Sequence, residues 1–420
     1  MKNMDINQRC HDRITALIQK GVEILNPASV DLGNEVDIDR IAGTGVRIYP
    51  GCRIYGKETV IASGCRIGCE GPVTIDNCQL GPQVELKGGY FAKSVFLEKA
   101  NMGSGAQVRE GCILEEEANG AHCVGIKQTI LFPFVTLGSL INFCDCLMSG
   151  GTSRKNHSEV GSSYIHFNFT PEGDKTTASL IGDVPRGVML NQPAIFLGGQ
   201  GGIVGPIRMG FGNVVAADSV LRTDYPDDNQ LIVGKTPAEK KVPYIPRAYP
   251  GFRRVLENNI LYLANLMALE EWYRQVRRPF FEAQEFGPLL LAGALDKLAL
   301  AKKERIKRLQ ALAEKVKTLG PAGADQTPDA ALKSLFAKNF PALEAVFAAP
   351  LEDEPADRLR REFFAGTEES PGWPGGVYTE AIQGLPEAVS GKGTQWLQRL
   401  IDSYCEKTGN CLPAACLFKK

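Results

Sequence analysis

The segment from Arg154 to His157 reads Arg-Lys-Asn-His, so two cations, an amide and an imidazole follow one another directly. An imidazole, with a pKa near 6.5, can take a proton from an amine at neutral pH. Neighbouring cations and an amide suit the binding of a phosphate. We therefore predict His157 as a general base and Arg154, Lys155 and Asn156 as substrate-binding residues. The alternative is a solvated turn, since charged residues are mostly exposed.

The remaining histidines and the cysteines give weaker signals. His166 alternates with apolar neighbours, so it faces either a groove or the interior, whereas His11 and His122 have no informative context. The 12 cysteines include no Cys-x-x-Cys pair. This spacing favours free thiols in a reducing compartment and predicts no metal site.

Composition excludes several function classes. The chain has 420 residues, with 47 Lys and Arg against 48 Asp and Glu, for a formal net charge of -1. A globally basic nucleic-acid-binding surface is therefore not expected. No apolar run reaches the roughly 18 residues that span a bilayer, and the first residues are polar. We expect a cytoplasmic protein with neither a membrane span nor a nucleic-acid partner.

An internal repeat is the strongest structural signal. Aliphatic residues recur every six positions over several stretches, as in Leu197, Ile203, Met209, Val215 and Leu221. A period of six fits neither a plain strand nor a helix, but it fits a short strand plus a turn. Three such units close a triangular coil, and stacked coils bury a continuous core. The sequence thus predicts a mainly β, parallel β-helix. The alternative is a β-sandwich with irregular turns.

Composition and period divide the chain into five segments. After the repeats, residues such as Leu256, Ile260 and Leu263 recur at helical spacing. A Gly- and Pro-containing stretch then separates two helical parts. The predicted segments are an N-terminal arm helix (1–27), the β-helix (28–236), a long helical region (237–318), a linker (319–330) and a small, mostly helical tail (331–420).

Three stretches carry a resemblance to a known family: ALIQKGVEILNPASVDLGNEVDID, GSSYIHFNF followed by SLIGD, and LGGQGGIVGPIRMGFGNVVAADSVLRTD. Over residues 15–236 the chain resembles the acetyltransferase half of the bacterial bifunctional enzymes that make UDP-N-acetylglucosamine. The resemblance implies a left-handed β-helix, acetyl-CoA as acyl donor and a homotrimer. That family's Gly-rich nucleotide loop has no counterpart before the arm helix, so uridylyl transfer is not expected.

The resemblance also implies a donor groove along the outside of the coils, between subunits. Asn168 and Phe169 match an Asn-Tyr pair that contacts the coenzyme in the family. Gly199 falls at a serine position, Ala217 at an alanine and Lys235 at a basic residue. These five residues are the predicted coenzyme-binding set. The alternative is that they are ordinary residues of the coils.

On the acceptor side the resemblance is weaker. Arg109 matches the family's sugar-phosphate arginine by its local motif, and Lys175 lies one position from a substrate lysine. Two further family lysines fall in the apolar stretch TILFPFVTLG. An insertion from Val184 to Ile195 separates two matching coils and is expected to project as a loop. The phosphate subsite is therefore predicted to be altered.

The family's catalytic histidine falls at Asp145 in a gapless match. An ordinary aspartate, with a pKa near 3.9, is a poor base for an ammonium group at neutral pH. We therefore predict that His157 is the base and that Asp145 orients it or lines the wall.

Two classes of function remain open. The first is an acyl-CoA-dependent acyltransferase acting on an amino sugar, sugar phosphate or nucleotide sugar, in UDP-N-acetylglucosamine or cell-envelope sugar metabolism. The second is a non-catalytic β-helix that binds a sugar nucleotide or phosphate as a sensor or scaffold. A zinc hydratase that resembles this fold would have two histidines five residues apart on one coil. His157 and His166 are nine residues apart, which disfavours that class.

Overall fold

The structure is a computed structural model that describes residues 2–234, 239–244, 246, 248–317, 329–368, 370 and 372–418. An N-terminal helix, α1 (Lys2–Lys20), precedes a parallel β-helix of about eleven coils, and a helical region follows from residue 252 onward. The fold class is therefore confirmed as mainly β, a left-handed parallel β-helix with a helical C-terminal region.

Each coil contributes strands to three faces of the β-helix. The strands are numbered in chain order. Face 1 is an eleven-stranded parallel sheet of β1 (Glu23–Ile24), β3 (Arg47–Ile48), β6 (Arg66–Ile67), β9 (Glu85–Leu86), β12 (Asn101–Met102), β15 (Asn119–Gly120), β17 (Thr136–Leu137), β21 (Glu159–Val160), β24 (Phe196–Leu197), β27 (Val214–Val215) and β29 (Leu231–Ile232). Face 2 contains β2 (Asp31–Leu32), β4 (Arg53–Tyr55), β7 (Val73–Asp76), β10 (Gly89–Ala92), β13 (Ala106–Val108), β22 (Ile165–Phe167), β25 (Gly202–Val204) and β28 (Val220–Leu221).

Face 3 contains β5 (Val60–Ile61), β8 (Gln79–Leu80), β11 (Val95–Phe96), β14 (Ile113–Leu114), β23 (Ser179–Ile181) and β26 (Arg208–Met209). Two seven-residue strands, β16 (Gly125–Leu131) and β18 (Asn142–Met148), run through a corner and belong to both faces 2 and 3. The continuous strands join those two faces into one sheet.

The six-residue period places one apolar side chain per strand in the interior. Ile203 pairs with Leu221 and Leu197 with Val215 in the parallel ladders, and all four side chains are buried. Stacking of equivalent residues from coil to coil produces a continuous apolar column. This column is the core of the β-helix, and it is the packing that the repeat predicts.

The corners use backbone in the left-handed region. At the corner between faces 2 and 3, Asn77, Lys93, Gln128 and Asp145 have φ values of 52°, 48°, 51° and 58°. Non-glycine residues adopt this conformation rarely, and Asn and Asp do so most readily. We call this edge the Asp145 corner. The left-handed turn is what places the Asp145 side chain at the edge of the sheet.

The helical region covers face 3. Its helices are α3 (Phe252–Trp272), a π-helical turn (Tyr273–Arg277), α4 (Arg278–Glu282), α5 (Gly287–Lys317), α6 (Ala330–Ala348), α7 (Glu354–Thr367), α8 (Tyr378–Gln383) and α9 (Glu387–Cys411). Helix α5 packs on β8 and β11, and α3 packs on β23. No helix in the described part of the chain is long and apolar enough to cross a membrane.

The insertion between Val184 and Ile195 is not the projecting loop that the sequence suggested. It begins with a short helix, α2 (Val184–Gly187), which contacts α3 and α9. Val188, Met189 and Leu190 are buried. Burial of these apolar side chains against the helical region explains why the insertion folds back instead of extending into solvent.

Candidate functional site

Asp145 forms the centre of a buried polar cluster at its corner. The residue is 6% exposed. One carboxylate oxygen, Oδ1, accepts a hydrogen bond from Nη2 of Arg305 at 2.5 Å, and the other, Oδ2, accepts one from Nδ2 of Asn168 at 2.9 Å. A buried carboxylate requires such partners, because loss of hydration is not otherwise compensated. Both oxygens are therefore committed to neighbouring side chains.

Arg305 reaches the Asp145 corner from helix α5. It is 2% exposed, and its Nη1 also donates to the backbone carbonyl of Lys175 at 3.3 Å. Arg305 is not among the site residues predicted from the sequence. A signal was present, because Arg305 lies between Ala301 and Leu309 at four-residue spacing on the buried stripe of α5. A charged residue on an apolar stripe indicates a partner in the facing surface.

His166 belongs to the interior and not to a groove. It is 1% exposed, stacks edge-on against Phe143 with ring centroids 6.1 Å apart, and shares a 2.8 Å hydrogen bond with Oγ of Ser179 through Nε2. Burial lowers the pKa of His166 to about 4. The imidazole is consequently neutral at physiological pH, and it serves as a wall residue.

Face 2 remains open beside the Asp145 corner. The strand register aligns Arg109, Lys127 and Cys144 on successive coils. Arg109 is exposed. Burial raises the pKa of the Cys144 thiol, Asp145 raises it further, and the nearby Arg109 guanidinium opposes the shift. On the coil above, Ile165 and Phe167 are 41% and 43% exposed. This surface combines a cation with apolar patches.

The predicted coenzyme-binding residues lie at the two borders of face 2. Asn168 is at the Asp145 corner, and the adjacent Phe169 is 72% exposed. Gly199 and Ala217 lie at the opposite border, where face 1 turns into face 2, and Gly198 packs against the backbone of Ala217. A three-residue strand, about 10 Å long, separates the two borders. The remaining member, Lys235, lies outside the described residues.

His157 is positioned by a β-hairpin. Strands β19 (Gly151–Ser153) and β20 (Asn156–His157) form an antiparallel pair between the end of β18 and the start of β21. The ring nitrogen Nδ1 lies 2.9 Å from the carbonyl of Arg154, and Nε2 lies 3.6 Å from Oε2 of Glu159. Because a carbonyl can only accept, Nδ1 carries a hydrogen, so Nε2 is the nitrogen that holds the lone pair when the ring is neutral. This tautomer is the one that a proton-accepting imidazole needs.

The three neighbours predicted with His157 differ in their availability. Nη1 of Arg154 donates to the carbonyls of Glu117 and Phe134 at 3.0 and 2.8 Å, so this guanidinium fastens the hairpin to the edge between faces 3 and 1. Lys155 and Asn156 are exposed. We call the edge between faces 3 and 1 the His157 corner. This corner therefore presents the exposed ammonium of Lys155, whereas Nδ2 of Asn156 already donates to Oγ1 of Thr152 at 3.0 Å.

Asp145 and His157 are not brought together. They lie at opposite edges of face 3, and the extended segment from Asp145 to Met148 alone spans about 10 Å. The contacts of Asp145 are with Arg305 and Asn168, and those of His157 are with Arg154 and Glu159. The prediction that Asp145 orients His157 therefore has no contact to support it, whereas its prediction as a wall residue agrees with its burial.

A second buried cluster joins the helical region to face 3. Arg277 is 2% exposed and lies 3.1 Å from Oε2 of Glu115, with Glu116 as a further ion-pair partner. Tyr273 donates to Oε1 of Glu115 at 2.6 Å. The centroid of the Tyr378 ring is 3.9 Å from the Arg277 guanidinium carbon, a cation–π distance. The cluster fixes the π-helical turn against the β-helix.

The described residues contain no group of three or more His, Cys, Asp or Glu side chains placed to hold a metal ion. The eleven cysteines from Cys52 to Cys416 are unpaired thiols.

The fold is a left-handed β-helix built from six-residue repeats. About half of the chain is similar to curated relatives called Bifunctional protein GlmU. Identity is 29% over 214 residues with the Thermotoga maritima protein, covering 51% of this chain and 42% of the relative. It is 26% over 230 residues with the Carboxydothermus hydrogenoformans protein, covering 55% and 46%.

This chain accordingly spans less than half the length of those relatives. No family model matches it. The similarity and the eleven coils confirm the predicted resemblance to a GlmU acetyltransferase-like β-helix. The resemblance predicted from the sequence ends near residue 236, before the helical region that covers face 3.

Proposed function

We propose that the protein is an acyl-CoA-dependent acyltransferase, with acetyl-CoA as donor and an amino sugar, sugar phosphate or nucleotide sugar as acceptor. The observation that carries the proposal is the Asn168 side-chain amide, which donates to Asp145 at the edge of the open and partly apolar face 2. That residue lies within residues 15–236, over which the sequence predicts the resemblance. Phe169, Gly199, Ala217 and Lys235 complete the proposed donor groove.

Transfer to an amine requires a base, because the ammonium form cannot attack a thioester. We assign this role to Nε2 of His157, whose tautomer is set by the Arg154 carbonyl. Lys155 and Asn156 are exposed beside it and are assigned to an acceptor phosphate. Arg109 and Lys175 are further acceptor candidates, closer to the Asp145 corner. Arg154 contributes by holding the hairpin.

The groove and the base must meet for this mechanism, and they are on different edges of one chain. A neighbouring copy can supply the missing partner, as in a homotrimer whose sites lie between subunits. Apolar side chains are exposed on both open faces of the last coils, including Phe196 and Val214 on face 1 and Val204 on face 2. Such patches favour association. Light scattering should give a trimer mass, and a monomer at micromolar concentration would reject this assembly.

The activity is tested by incubating the protein with acetyl-CoA and a panel of amino sugars, their 1-phosphates and UDP-linked forms. Coenzyme A release should be followed by chromatography, because the protein's own thiols react with thiol reagents. Acceptor-dependent release that is abolished in His157→Asn supports the proposal. Absence of release with every acceptor, together with no binding of coenzyme A, overturns it.

A non-catalytic function is the second candidate, and one observation favours it. The side chain at the position of the family's base is locked in the Asp145–Arg305 ion pair. A protein that binds a sugar nucleotide or phosphate without turnover would need no base there. Calorimetry showing ligand binding with no product after prolonged incubation would favour this sensor or scaffold function over catalysis.

A further inference from the structure

We propose that Arg305 is a positioning residue of the donor groove, acting from the helical region through Asp145 on the Asn168 amide. The inference deepens the proposed function and rests on it for the role of Asn168. It assigns the helical region a part in ligand binding, whereas the resemblance predicted from the sequence covers residues 15–236.

The first step is the orientation of Asn168. Its Nδ2 donates to Oδ2 of Asp145, a carboxylate that can only accept while ionised. This bond decides which end of the amide points toward the corner. The carbonyl end, Oδ1, accepts no hydrogen bond from any described residue. It is left to receive an N–H group, and the two amides of a pantetheine arm are donors of that kind.

The second step is the charge on Asp145. The carboxylate is almost fully buried, and an unpaired charge there would be strongly disfavoured. Arg305 supplies the compensating charge at 2.5 Å from Oδ1. Without it, the buried carboxylate would lose the partner of Oδ1 and would no longer be held in the orientation that accepts from the Asn168 amide. The cation therefore preserves the acceptor that orients Asn168.

The third step concerns the segment that follows Asn168. Nη1 of Arg305 also donates to the Lys175 carbonyl, so one guanidinium holds the Lys175 end of residues 168–175 directly and the Asn168 end through Asp145. Within that segment, Asp174 accepts from the hydroxyls of Thr170 and Thr176 at 3.0 and 2.7 Å. The segment carries Phe169, another proposed coenzyme contact. Arg305 thus sets the position of two members of the donor groove.

Calorimetric titration with coenzyme A tests the chain of contacts. Arg305→Met should raise Kd about tenfold, the effect of leaving one buried polar group unpaired. The double variant Asp145→Asn with Arg305→Met should recover to within about threefold of the wild type. An asparagine at 145 needs no cation and its Oδ1 can still accept from Asn168. A merely structural defect would not be repaired in this way.

Arg277→Met is the matched control, since it removes another buried arginine of the helical region that has no contact with Asn168. Its Kd should stay within about threefold of the wild type despite lower stability. The inference is overturned if Arg305→Met binds normally, if the double variant is no better than the single one, or if Arg277→Met loses as much affinity.

Hydrogen exchange of residues 168–178 separates this inference from the proposed function. Arg305→Met should speed exchange in that segment, and Arg277→Met should not, whether or not a ligand binds. If the wild type fails to bind coenzyme A, the proposed function is rejected, while faster exchange in Arg305→Met alone would still establish the positioning. Unchanged exchange in Arg305→Met would reject the positioning itself.

Discussion

The two edges of face 3 carry polar groups in opposite surroundings. At the Asp145 corner the carboxylate is buried beneath helix α5 and has both oxygens occupied. At the His157 corner the imidazole side chain is 21% exposed and its Nε2 faces only a carboxylate 3.6 Å away. The helical region has incorporated one edge into the protein interior and left the other partly accessible, with Gln383 of α8 donating to the Thr152 carbonyl of the hairpin. This difference supports our proposal that chemistry with a soluble acceptor takes place at the His157 corner.

The largest expected effect is on the free energy of unfolding, through the Arg277 cluster that joins the helical region to face 3. Arg277→Met leaves Glu115 and Glu116 buried without their cation, and unfolding should become easier by about 3–5 kcal/mol. Denaturant unfolding followed by tryptophan fluorescence measures this, because all three tryptophans are in the helical region. The control is Lys87→Met, whose exposed pair with Glu70 should contribute less than about 1 kcal/mol. Equal losses in both variants would contradict the distinction.

A second test uses pH on the same cluster. Burial raises the pKa of Glu115 to about 7, above its ordinary value of 4.5. The folded state therefore binds more protons than the unfolded state between these values, and stability falls as pH rises from 4.5 to 7. One group with this shift changes stability by at most about 3 kcal/mol. The free energy of unfolding should be measured for the wild type and for Glu115→Gln, and the difference between them should decline as pH rises across this window. A difference that does not change with pH would refute the raised pKa of Glu115.

The third test concerns the open edge. His157→Asn should lower acceptor-dependent turnover about a hundredfold or more, which is the contribution expected of a general base. Asp145→Asn keeps an acceptor for Asn168 and should cost less than about tenfold, with its main effect on stability through the unpaired Arg305. If His157→Asn is fully active while Asp145→Asn is inactive, the roles of the two corners are reversed.

Local repetition in the sequence was sufficient to predict the β-helix. Leu197, Ile203 and Met209 are six residues apart, and each faces the interior of a successive strand. Their environment depends on neighbours within one coil, so the period records it directly. The wrong prediction for residues 184–195 has the opposite origin. Met189 and Leu190 pack against helices formed by residues far along the chain, which a local pattern cannot indicate.

The candidate site shows the same division. The tautomer of His157 depends on a residue three positions earlier, and the cluster was visible in the sequence. The partner of Asp145 lies 160 residues away in the chain, and only its charge on the apolar stripe of α5 marked it. Sequence similarity to the relatives could not supply Arg305 either, because the predicted resemblance ends before the helical region.

The smallest expected effect sharpens the description of the open face. The Phe169 ring is 72% exposed, so Phe169→Ala removes almost no packing and should change unfolding free energy by less than about 0.5 kcal/mol. If the ring lies against bound coenzyme, the same change should raise Kd several-fold through lost apolar contact, at roughly 25 cal/mol per Å². Tyr90→Ala is the control, since Tyr90 is 38% exposed on face 2 but several coils away. A loss of coenzyme affinity in both variants would indicate an indirect effect. A loss of affinity confined to Phe169→Ala, with an unchanged free energy of unfolding, would place the ligand beside Asn168 on the open face.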